Sequence, residues 1–190
     1  MSKFLDLDGL DYFTRNYIKP QLTEIIDGGV KNKLNLYNRF EGSRTTIIDG
    51  DNGTIAISTT QKWANMAYVI PVAQNTDYVF TLYVDEASCA DVLFMVFINS
   101  CTEDGTTIIE LGRTNRITTT GTYILTFNTS TADYVKVRIN LNNQATDATG
   151  SATIRAMLCT ATDYKVSTDY QPYNKIIATN QEILDVFNRV

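Results

Sequence analysis

The side chains that could perform chemistry in this sequence are carboxylates without histidine partners. No His occurs among the 190 residues, which excludes Ser–His and Cys–His nucleophile pairs, an imidazole base and the usual zinc or iron ligands. Two acidic pairs remain, Asp85 with Glu86 and Glu103 with Asp104. Glycoside hydrolysis needs two carboxyls at a fixed separation across a cleft. Adjacent acids in predicted loops are more simply solvated charges, so we expect no enzyme activity and no cofactor.

The segment 49–53, Asp-Gly-Asp-Asn-Gly, has the composition of a calcium-binding loop. An EF-hand loop needs an oxygen ligand at its fifth position and a bidentate Glu at its twelfth. Those positions hold Gly53 and Thr60 here. We therefore expect a glycine-rich turn before a strand and no metal. A looser calcium site, of the kind that β-sandwiches often carry, is the alternative interpretation.

The single tryptophan, Trp63, lies in a polar segment between two predicted strands. An aromatic ring offered by a loop can stack on the apolar face of a sugar, while amide side chains bind its hydroxyls. We therefore predict a ligand-binding surface formed by Trp63, Tyr68, Tyr83, Arg113, Asn115 and Arg116. The alternative interpretation is that Trp63 fills one end of a hydrophobic core.

Composition limits the partners of the chain. With 44% hydrophobic residues, 190 residues can bury one sizeable core, so one main domain is expected. A net charge of -5 argues against nucleic acid, since phosphate contacts need clustered Lys and Arg. The longest apolar run, 92–98, is too short to cross a bilayer, and residues 1–8 contain neither a cationic leader nor an apolar signal core. We expect a soluble protein with no export signal and no membrane partner.

The three cysteines, Cys89, Cys101 and Cys159, cannot all pair within one chain because their number is odd. The first two flank a predicted strand, 91–99. An extended strand rises about 3.3 Å per residue, which holds its ends beyond the reach of a disulfide. We therefore expect three reduced, structural thiols, as in a protein assembled in a cytoplasm.

Hydrophobic residues alternate with polar ones through most of the segment 33–173. This two-residue period is typical of β-strands, and Gly, Asn, Asp, Ser and Thr separate the segments. Eight strands are predicted, at residues 54–58, 67–72, 78–84, 92–98, 106–111, 122–127, 134–141 and 152–158. About eight strands require a sandwich or a barrel to bury their apolar faces.

The predicted strand 92–98 is apolar on both faces, whereas 134–141 alternates strictly. A strand of the first kind is a central strand that is covered on both sides. We expect a terminal helix or a neighbouring subunit to cover its second face.

Helical periodicity marks the N-terminal part of the chain. Apolar residues recur at spacings of three and four before the Gly-Gly pair at 28–29, and Pro20 bends or splits the helix. This apolar stripe either packs on its own domain or meets symmetry copies in an oligomer. In the second case the interface residues are Leu10, Phe13, Tyr17, Leu22 and Ile25.

A second helix is predicted at the C-terminal end, where Thr179 and Glu182 form a capping box. An isolated helix shorter than about 12 residues is marginal in water, so this one must dock on another surface. The expected organisation is a helical oligomerisation arm at 1–32, a β-domain at 33–174 and a short helix at 175–190.

Three segments resemble those of phage minor structural and tail-fibre proteins. Residues 154–158, Ile-Arg-Ala-Met-Leu, with Ser-Thr-Asp-Tyr-Gln-Pro-Tyr at 167–173, resemble the last strand and exit of jelly-roll modules in these proteins. Residues 67–84 are similar to paired strands of the same carbohydrate-binding-module-like fold, and residues 3–13 resemble their opening segment. The chain departs from the pattern at 159–162, where Cys-Thr-Ala-Thr replaces the usual Gly-Ser.

The resemblance implies a fold, a role and partners. The fold is a jelly-roll β-sandwich of about eight antiparallel strands with an N-terminal helix and a short C-terminal helix. The role is that of a non-enzymatic virion protein of the tail, fibre or baseplate, assembled in the cytoplasm of the bacterial host. The partners are copies of the chain in a homotrimer, other virion proteins and a glycan of the host cell surface. A freestanding carbohydrate-binding module of a gut bacterium or prophage is the alternative.

Overall fold

Ten β-strands in two antiparallel sheets form the part of the chain that the computed structural model describes, residues 32–34, 39–40 and 44–172. The strands are β1 (Arg39–Phe40), β2 (Thr46–Asp49), β3 (Ile55–Thr59), β4 (Ala64–Pro71), β5 (Asp77–Ser88), β6 (Met95–Cys101), β7 (Thr107–Arg113), β8 (Gly121–Asn128), β9 (Tyr134–Asn142) and β10 (Gly150–Thr160). A short helix, α1 (Ala161–Val166), follows β10. All these residues belong to one compact unit, Lys31–Asn174.

The order of the strands is that of a jelly roll. The first sheet has the order β1-β4-β9-β6-β7, and the second has the order β2-β3-β10-β5-β8. From β3 onward the chain changes sheet at every connection except the one between β6 and β7. Eight strands wound in this way form the two Greek keys of a jelly roll, and β1 and β2 each add an edge strand. The prediction of a mainly-β antiparallel sandwich is confirmed for the described residues.

All eight predicted strands correspond to strands of the structure, with ends that differ by a few residues. The edge strands β1 and β2 were not predicted, because two and four residues are too few to show a period. The helix α1 was not predicted either, since its six residues bury none of their side chains and so form no apolar stripe. Thr160 caps this helix by accepting a hydrogen bond from the backbone N–H of Asp163.

The hydrophobic core lies between the sheets and contains alternate residues of each strand. On β9, Val135 and Val137 are buried in the core, whereas Lys136 and Arg138 lie on the outer face of the first sheet. Because side chains of a strand alternate in direction, the residues between the core positions occupy two outer faces. These outer faces carry the polar side chains that a ligand can reach.

The strand β6 is apolar on both faces, as predicted from residues 92–98. Val96 and Ile98 point into the core, and Phe97 is only 6% exposed on the outer face. The guanidinium of Arg138, on the adjacent strand β9, lies 5.1 Å from the centre of the Phe97 ring. A side chain of a neighbouring strand therefore contributes to the cover of this face. A terminal helix or a neighbouring subunit as further cover stays a prediction.

The three cysteines are buried thiols, and none of them forms a disulfide. Burial raises the pKa of the Cys89 and Cys101 thiols above its ordinary value. The prediction of reduced, structural cysteines is confirmed.

Two predicted helices cannot be compared with the structure. The N-terminal helix, with the predicted interface residues Leu10, Phe13, Tyr17, Leu22 and Ile25, lies outside the described residues, and so does the helix after Thr179. Within residues 32–34, 39–40 and 44–172, no helix is long and apolar enough to cross a membrane.

Candidate functional site

Two adjoining cavities form a groove on the outer face of the second sheet, which we call the serine groove. One cavity has a volume of about 290 Å³ and the other of about 410 Å³. Ser58 of β3, Ser88 of β5 and Ser151 of β10 line both cavities. Ligand-binding cavities usually measure about 300–1,000 Å³, so the groove has room for a small ligand.

The register of the strands places these serines in one row. Ser151 lies opposite Ser58 in the β3–β10 ladder and opposite Ser88 in the β10–β5 ladder. Thr46 of β2 lies opposite Ser58 and extends the row. Neighbouring strands are about 4.8 Å apart, so four hydroxyls in line span about 14 Å across the sheet. Such a row presents hydrogen-bond donors and acceptors to a ligand with several hydroxyls.

A second row of the groove combines apolar, small and acidic side chains. Ile48, Ala56, Thr153 and Glu86 follow one another across β2, β3, β10 and β5. The Thr153 hydroxyl donates to Glu86 Oε2 at 3.1 Å, and the Ile48 side chain is 63% exposed. The groove therefore offers hydroxyls, one carboxylate and one apolar contact.

A group of aromatic and charged side chains, the tyrosine–arginine cluster, adjoins the groove further along the same strands. It consists of Tyr83, Asp85, Arg155 and Tyr170. Arg155 forms a bidentate ion pair with Asp85, with N–O distances of 2.7 and 2.8 Å. The Arg155 guanidinium lies 5.1 Å from the centre of the Tyr83 ring and 5.0 Å from that of Tyr170. A β-bulge at this point inserts Asp85 into β5 and allows it to meet Arg155.

Ion pairing and burial set the charges in the tyrosine–arginine cluster. The hydrogen bonds from Arg155 hold the pKa of Asp85 below its ordinary value. Burial raises the pKa of Tyr170 to about 12 and also raises the pKa of Tyr83. At neutral pH the cluster therefore contains a charged ion pair and two neutral phenols, whose hydroxyls can donate hydrogen bonds.

The chain after α1 returns across the second sheet and places Tyr170 in the cluster. The Tyr83 hydroxyl donates to the carbonyl of Thr168, and the Tyr170 hydroxyl donates to the carbonyl of Gly53, each at 3.2 Å. Gly53 has a left-handed backbone with φ of 73°, and a Cβ at this position would collide with the Tyr170 hydroxyl. Glycine at position 53 is therefore required for this contact.

Two of the predicted ligand-binding residues, Trp63 and Tyr68, have opposite environments. Trp63 lies in the β3–β4 turn and is 47% exposed, so it does not fill the end of the core. Tyr68 points into the sandwich and is 3% exposed, and burial raises the pKa of its hydroxyl far above the ordinary value. The prediction of the ligand-binding surface is corrected for Tyr68. Its side chain points from β4 into the core, so its ring shares no surface with Trp63.

The other predicted residues lie on separate parts of the sandwich. Tyr83 belongs to the tyrosine–arginine cluster on the second sheet, whereas Arg113 lies on β7 at the edge of the first sheet. Arg116 donates to two backbone carbonyls of the β5–β6 loop at 2.6 and 2.9 Å, and Asn115 is exposed beside it. The strands β4 and β7 are three positions apart, about 14 Å, so Arg113 does not meet Trp63.

The acidic side chains at and beside the serine groove do not form a pair of free carboxylates among the described residues. Asp85 is held by Arg155, and Glu86 is the one carboxylate among the described residues that line the groove. No cluster of three or more His, Cys, Asp or Glu side chains that could hold a metal occurs in the described part of the chain. The segment 49–53 forms a 3-10 turn, Asp51–Gly53, directly before β3, as predicted.

The serine groove was not predicted from the sequence. Its serines lie on three strands that are far apart along the chain, and only the register of the ladders aligns them. The available signal was weak: Ala56, Ser58 and Thr153 are small residues at outward positions of the predicted strands, and Ser151 lies just before the predicted strand 152–158. Ser88 lay beyond the predicted end of its strand at residue 84.

No protein-family model matches the sequence. No curated protein matches it significantly either. Solved structures of similar fold include the enzymatically active domain of tailspike protein 4 of bacteriophage CBA120, with 12% identity and a TM-score of 0.47 over 68% of this chain. The chain spans 21% of the length of that tailspike domain.

Two carbohydrate-binding domains are also similar in fold. The C-terminal family 6 carbohydrate-binding module of LamC, a marine laminarinase from Zobellia galactanivorans, has 16% identity and a TM-score of 0.41 and matches 64% of this chain and 94% of its own. The second N-terminal cellulose-binding domain of Cellulomonas fimi β-1,4-glucanase C has 16% identity and a TM-score of 0.43 and matches 68% of this chain and 90% of its own. Similarities at this level assign neither a family nor a ligand to the chain, whose class is defined by its own topology: a jelly-roll β-sandwich.

Proposed function

We propose that the described domain is a non-catalytic glycan-binding module and that the serine groove is its binding site. The observation that carries the proposal is the row of hydroxyls from Thr46, Ser58, Ser151 and Ser88 beside the exposed side chain of Ile48. A sugar presents hydroxyls together with an apolar C–H face. A groove with both kinds of group can therefore bind it by hydrogen bonds and by apolar contact.

The absence of catalysis is part of this proposal. Hydrolysis of a glycosidic bond needs an acid and a second carboxylate on opposite sides of the sugar. Glu86 lacks such a partner among the described lining residues of the groove, and Asp85 is neutralised by Arg155. The groove is therefore suited to holding a glycan without cleaving it.

Removal of two hydroxyls from the groove tests the proposal. Affinity electrophoresis of the full chain in gels that contain glucan, xylan, mannan or galactan identifies a neutral polysaccharide that retards it, and calorimetry measures the affinity. The double variant Ser58→Ala and Ser151→Ala is expected to bind that polysaccharide about tenfold more weakly, since each lost hydrogen bond contributes about 0.5–1.5 kcal/mol.

The matched control removes two hydroxyls from the outer face of the same sheet but outside the groove. These are Thr122 and Thr126 of β8, which alternate with the inward-facing Tyr123 and Leu125. The variant Thr122→Ala and Thr126→Ala is expected to bind as the wild type does. Equal binding by the groove variant and the control, or no retardation by any of the four polysaccharides, contradicts the proposal.

We further propose that the chain is a phage virion protein of the tail, fibre or baseplate, assembled in the bacterial cytoplasm as a homotrimer. Support comes from the sequence resemblance at residues 3–13, 67–84, 154–158 and 167–173. A shallow groove binds one sugar weakly, and three copies in one particle component would bind a glycan-covered cell more tightly through avidity. The rival proposal is a freestanding carbohydrate-binding module, which would act as a monomer.

A further inference from the structure

Five polar side chains and the ring of Phe97 form a second group on the outer face of the first sheet, which we call the Arg138 face. Arg138, Phe97 and Arg113 follow one another across β9, β6 and β7, and Lys136, Asn99 and Glu110 form the adjacent row. Residues that lie opposite each other in an antiparallel ladder project from the same side of the sheet. Because Phe97 lies on the outer face, the other members of its row do so as well.

A β-bulge between β6 and β7 completes the Arg138 face. The register shifts between Ile98 and Asn99, which inserts one extra residue into β7. Glu110 and Arg113 would point to opposite sides of a regular strand, but the bulge brings them to the same side. Their ion pair, with an N–O distance of 3.5 Å, agrees with this arrangement.

The charge on this face is positive in a chain whose net charge is -5. Three of the six side chains are cations and one is a carboxylate. Glu110 pairs with Arg113, and Lys136 donates to the carbonyl of Gly105 at 2.9 Å. Within the part of the chain that the structure describes, Arg138 forms no ion pair with a carboxylate.

Two polar groups at the centre of the Arg138 face are buried and lack partners. Asn99 is 5% exposed, and its Oδ1 accepts no hydrogen bond from any described residue. Arg138 Nε is equally buried and donates to no described acceptor, while the guanidinium lies over the Phe97 ring. Burial lowers the pKa of Arg138, and the negative charge of Glu110 opposes this only in part.

Such an arrangement costs folding free energy. An unpaired buried polar group loses its hydrogen bonds with water, and a half-buried guanidinium without a direct ion pair also loses part of its hydration. Asn99 and Arg138 lie at neighbouring positions of one outer face, so a ligand bound there could supply the hydrogen bonds that both side chains lack. Guanidinium matches the planar, bidentate geometry of a carboxylate.

We propose that the Arg138 face binds a carboxylate-bearing sugar, a uronic acid within a polysaccharide, with Arg138 receiving the carboxylate and Asn99 binding a neighbouring hydroxyl. This inference rests on the proposed glycan-binding function but concerns the opposite sheet from the serine groove. An amide side chain both donates and accepts, which suits a sugar hydroxyl better than a second anionic oxygen. For this reason a sugar carboxylate fits the pair better than a phosphate does.

Comparison of carboxylated polymers with their reduced forms tests this inference. Polygalacturonate, alginate and hyaluronate are each titrated into the full chain beside the same polymer after chemical reduction of its carboxyl groups to hydroxymethyl groups. At least one carboxylated polymer is expected to bind about tenfold more tightly than its reduced form, because the charge-assisted hydrogen bonds are lost on reduction. The preference should weaken as salt concentration rises.

The variant Arg138→Met separates ligand binding from folding. Methionine can cover Phe97 as the arginine stem does, and it removes the desolvation cost of a half-buried charge that has no direct ion pair. The thermal midpoint should therefore stay the same or rise, while the preference for the carboxylated polymer is lost. The control Lys62→Gln removes one positive charge from the β3–β4 turn and should leave the preference unchanged.

The measurements on the polymers and on the variants distinguish a site on the first sheet from one on the second. The inference is overturned if no carboxylated polymer binds better than its reduced form, or if Arg138→Met retains the preference. A carboxylate preference that is lost in the groove variant Ser58→Ala and Ser151→Ala also overturns it, because the site would then lie on the second sheet. Retardation by a neutral polysaccharide without any carboxylate preference would leave the proposed function standing and remove this inference alone.

Discussion

The ion pair of Arg39 and Asp49 joins the two sheets where the sandwich would otherwise open. Arg39 belongs to β1 at the edge of the first sheet, and Asp49 ends β2 at the edge of the second. Two N–H groups of the guanidinium donate to the two carboxylate oxygens, one of them at 2.9 Å. The Arg39 side chain is 9% exposed, so the pair is better shielded from water than an ordinary surface ion pair.

The pair makes stability depend on pH in a defined direction. The hydrogen bond from Arg39 holds the pKa of Asp49 below its ordinary value of 3.8. The stabilisation is therefore fully present above that value and is lost as pH falls through the lower pKa of the folded state. We expect Asp49→Asn to lower the free energy of unfolding by about 1 kcal/mol near neutral pH, a modest effect because Asp49 is partly exposed.

Urea denaturation at about pH 7 and about pH 3 measures this difference. The difference between wild type and Asp49→Asn should shrink at the lower pH. Asp51→Asn, in the adjacent turn, is the control, because Asp51 forms no ion pair among the described residues. A difference of the same size at both pH values would show that the ion pair does not link the sheets.

At the scale of the elements, Asn32 completes the second sheet beyond the first residue of β3, Ile55. The strand β3 pairs with β10 only as far as Ile154. Beyond that point Asn32 Nδ2 donates to the carbonyl of Ala156 at 2.9 Å, and Asn32 Oδ1 accepts from the N–H of Leu158 at 3.0 Å. A side-chain amide has the same donor and acceptor as a peptide group, so it can substitute for a strand residue.

Truncation of this side chain should destabilise the sheet. Asn32 is 2% exposed, and Asn32→Ala leaves buried backbone groups of β10 without partners. We expect a loss of about 2–3 kcal/mol in the free energy of unfolding. Chemical denaturation measures the loss, and Asn115→Ala, in an exposed loop, should change stability by less than about 0.5 kcal/mol. Similar values for the two variants would mean that Asn32 is not part of the ladder.

At the scale of the whole molecule, the sequence predicted the sandwich but not its sites. Alternation of polar and apolar residues along a strand shows which residues face the core, and together with the apolar run 92–98 it was sufficient to predict all eight long strands. The serine groove depends on which residues of different strands lie opposite each other. The Arg138 face depends in addition on a bulge. A one-residue change in register would turn the same side chains to the other side of the sheet, and nothing in a single strand specifies that relation.

The oligomeric state of the full chain depends on the predicted interface of the N-terminal segment. If the virion proposal is right, the full chain is a homotrimer, and its predicted interface includes Phe13 and Tyr17. Phe13→Asp with Tyr17→Asp should then dissociate it, because charges at an apolar interface are costly to bury. Light scattering coupled to size-exclusion chromatography measures the mass of both forms. A monomeric wild type with glycan affinity would favour the freestanding module.

The burial of the thiols affects how the protein responds to oxidising conditions. The thiolate is the form of a cysteine that attacks disulfides and reacts with oxidants, and it is scarce when the thiol pKa is raised and the sulfur is shielded from water. We therefore expect Cys89 and Cys101 to react slowly with oxygen-derived species and not to cross-link separate molecules. Purified protein should accordingly keep its mass and its three thiols during storage in aerated buffer without a reducing agent.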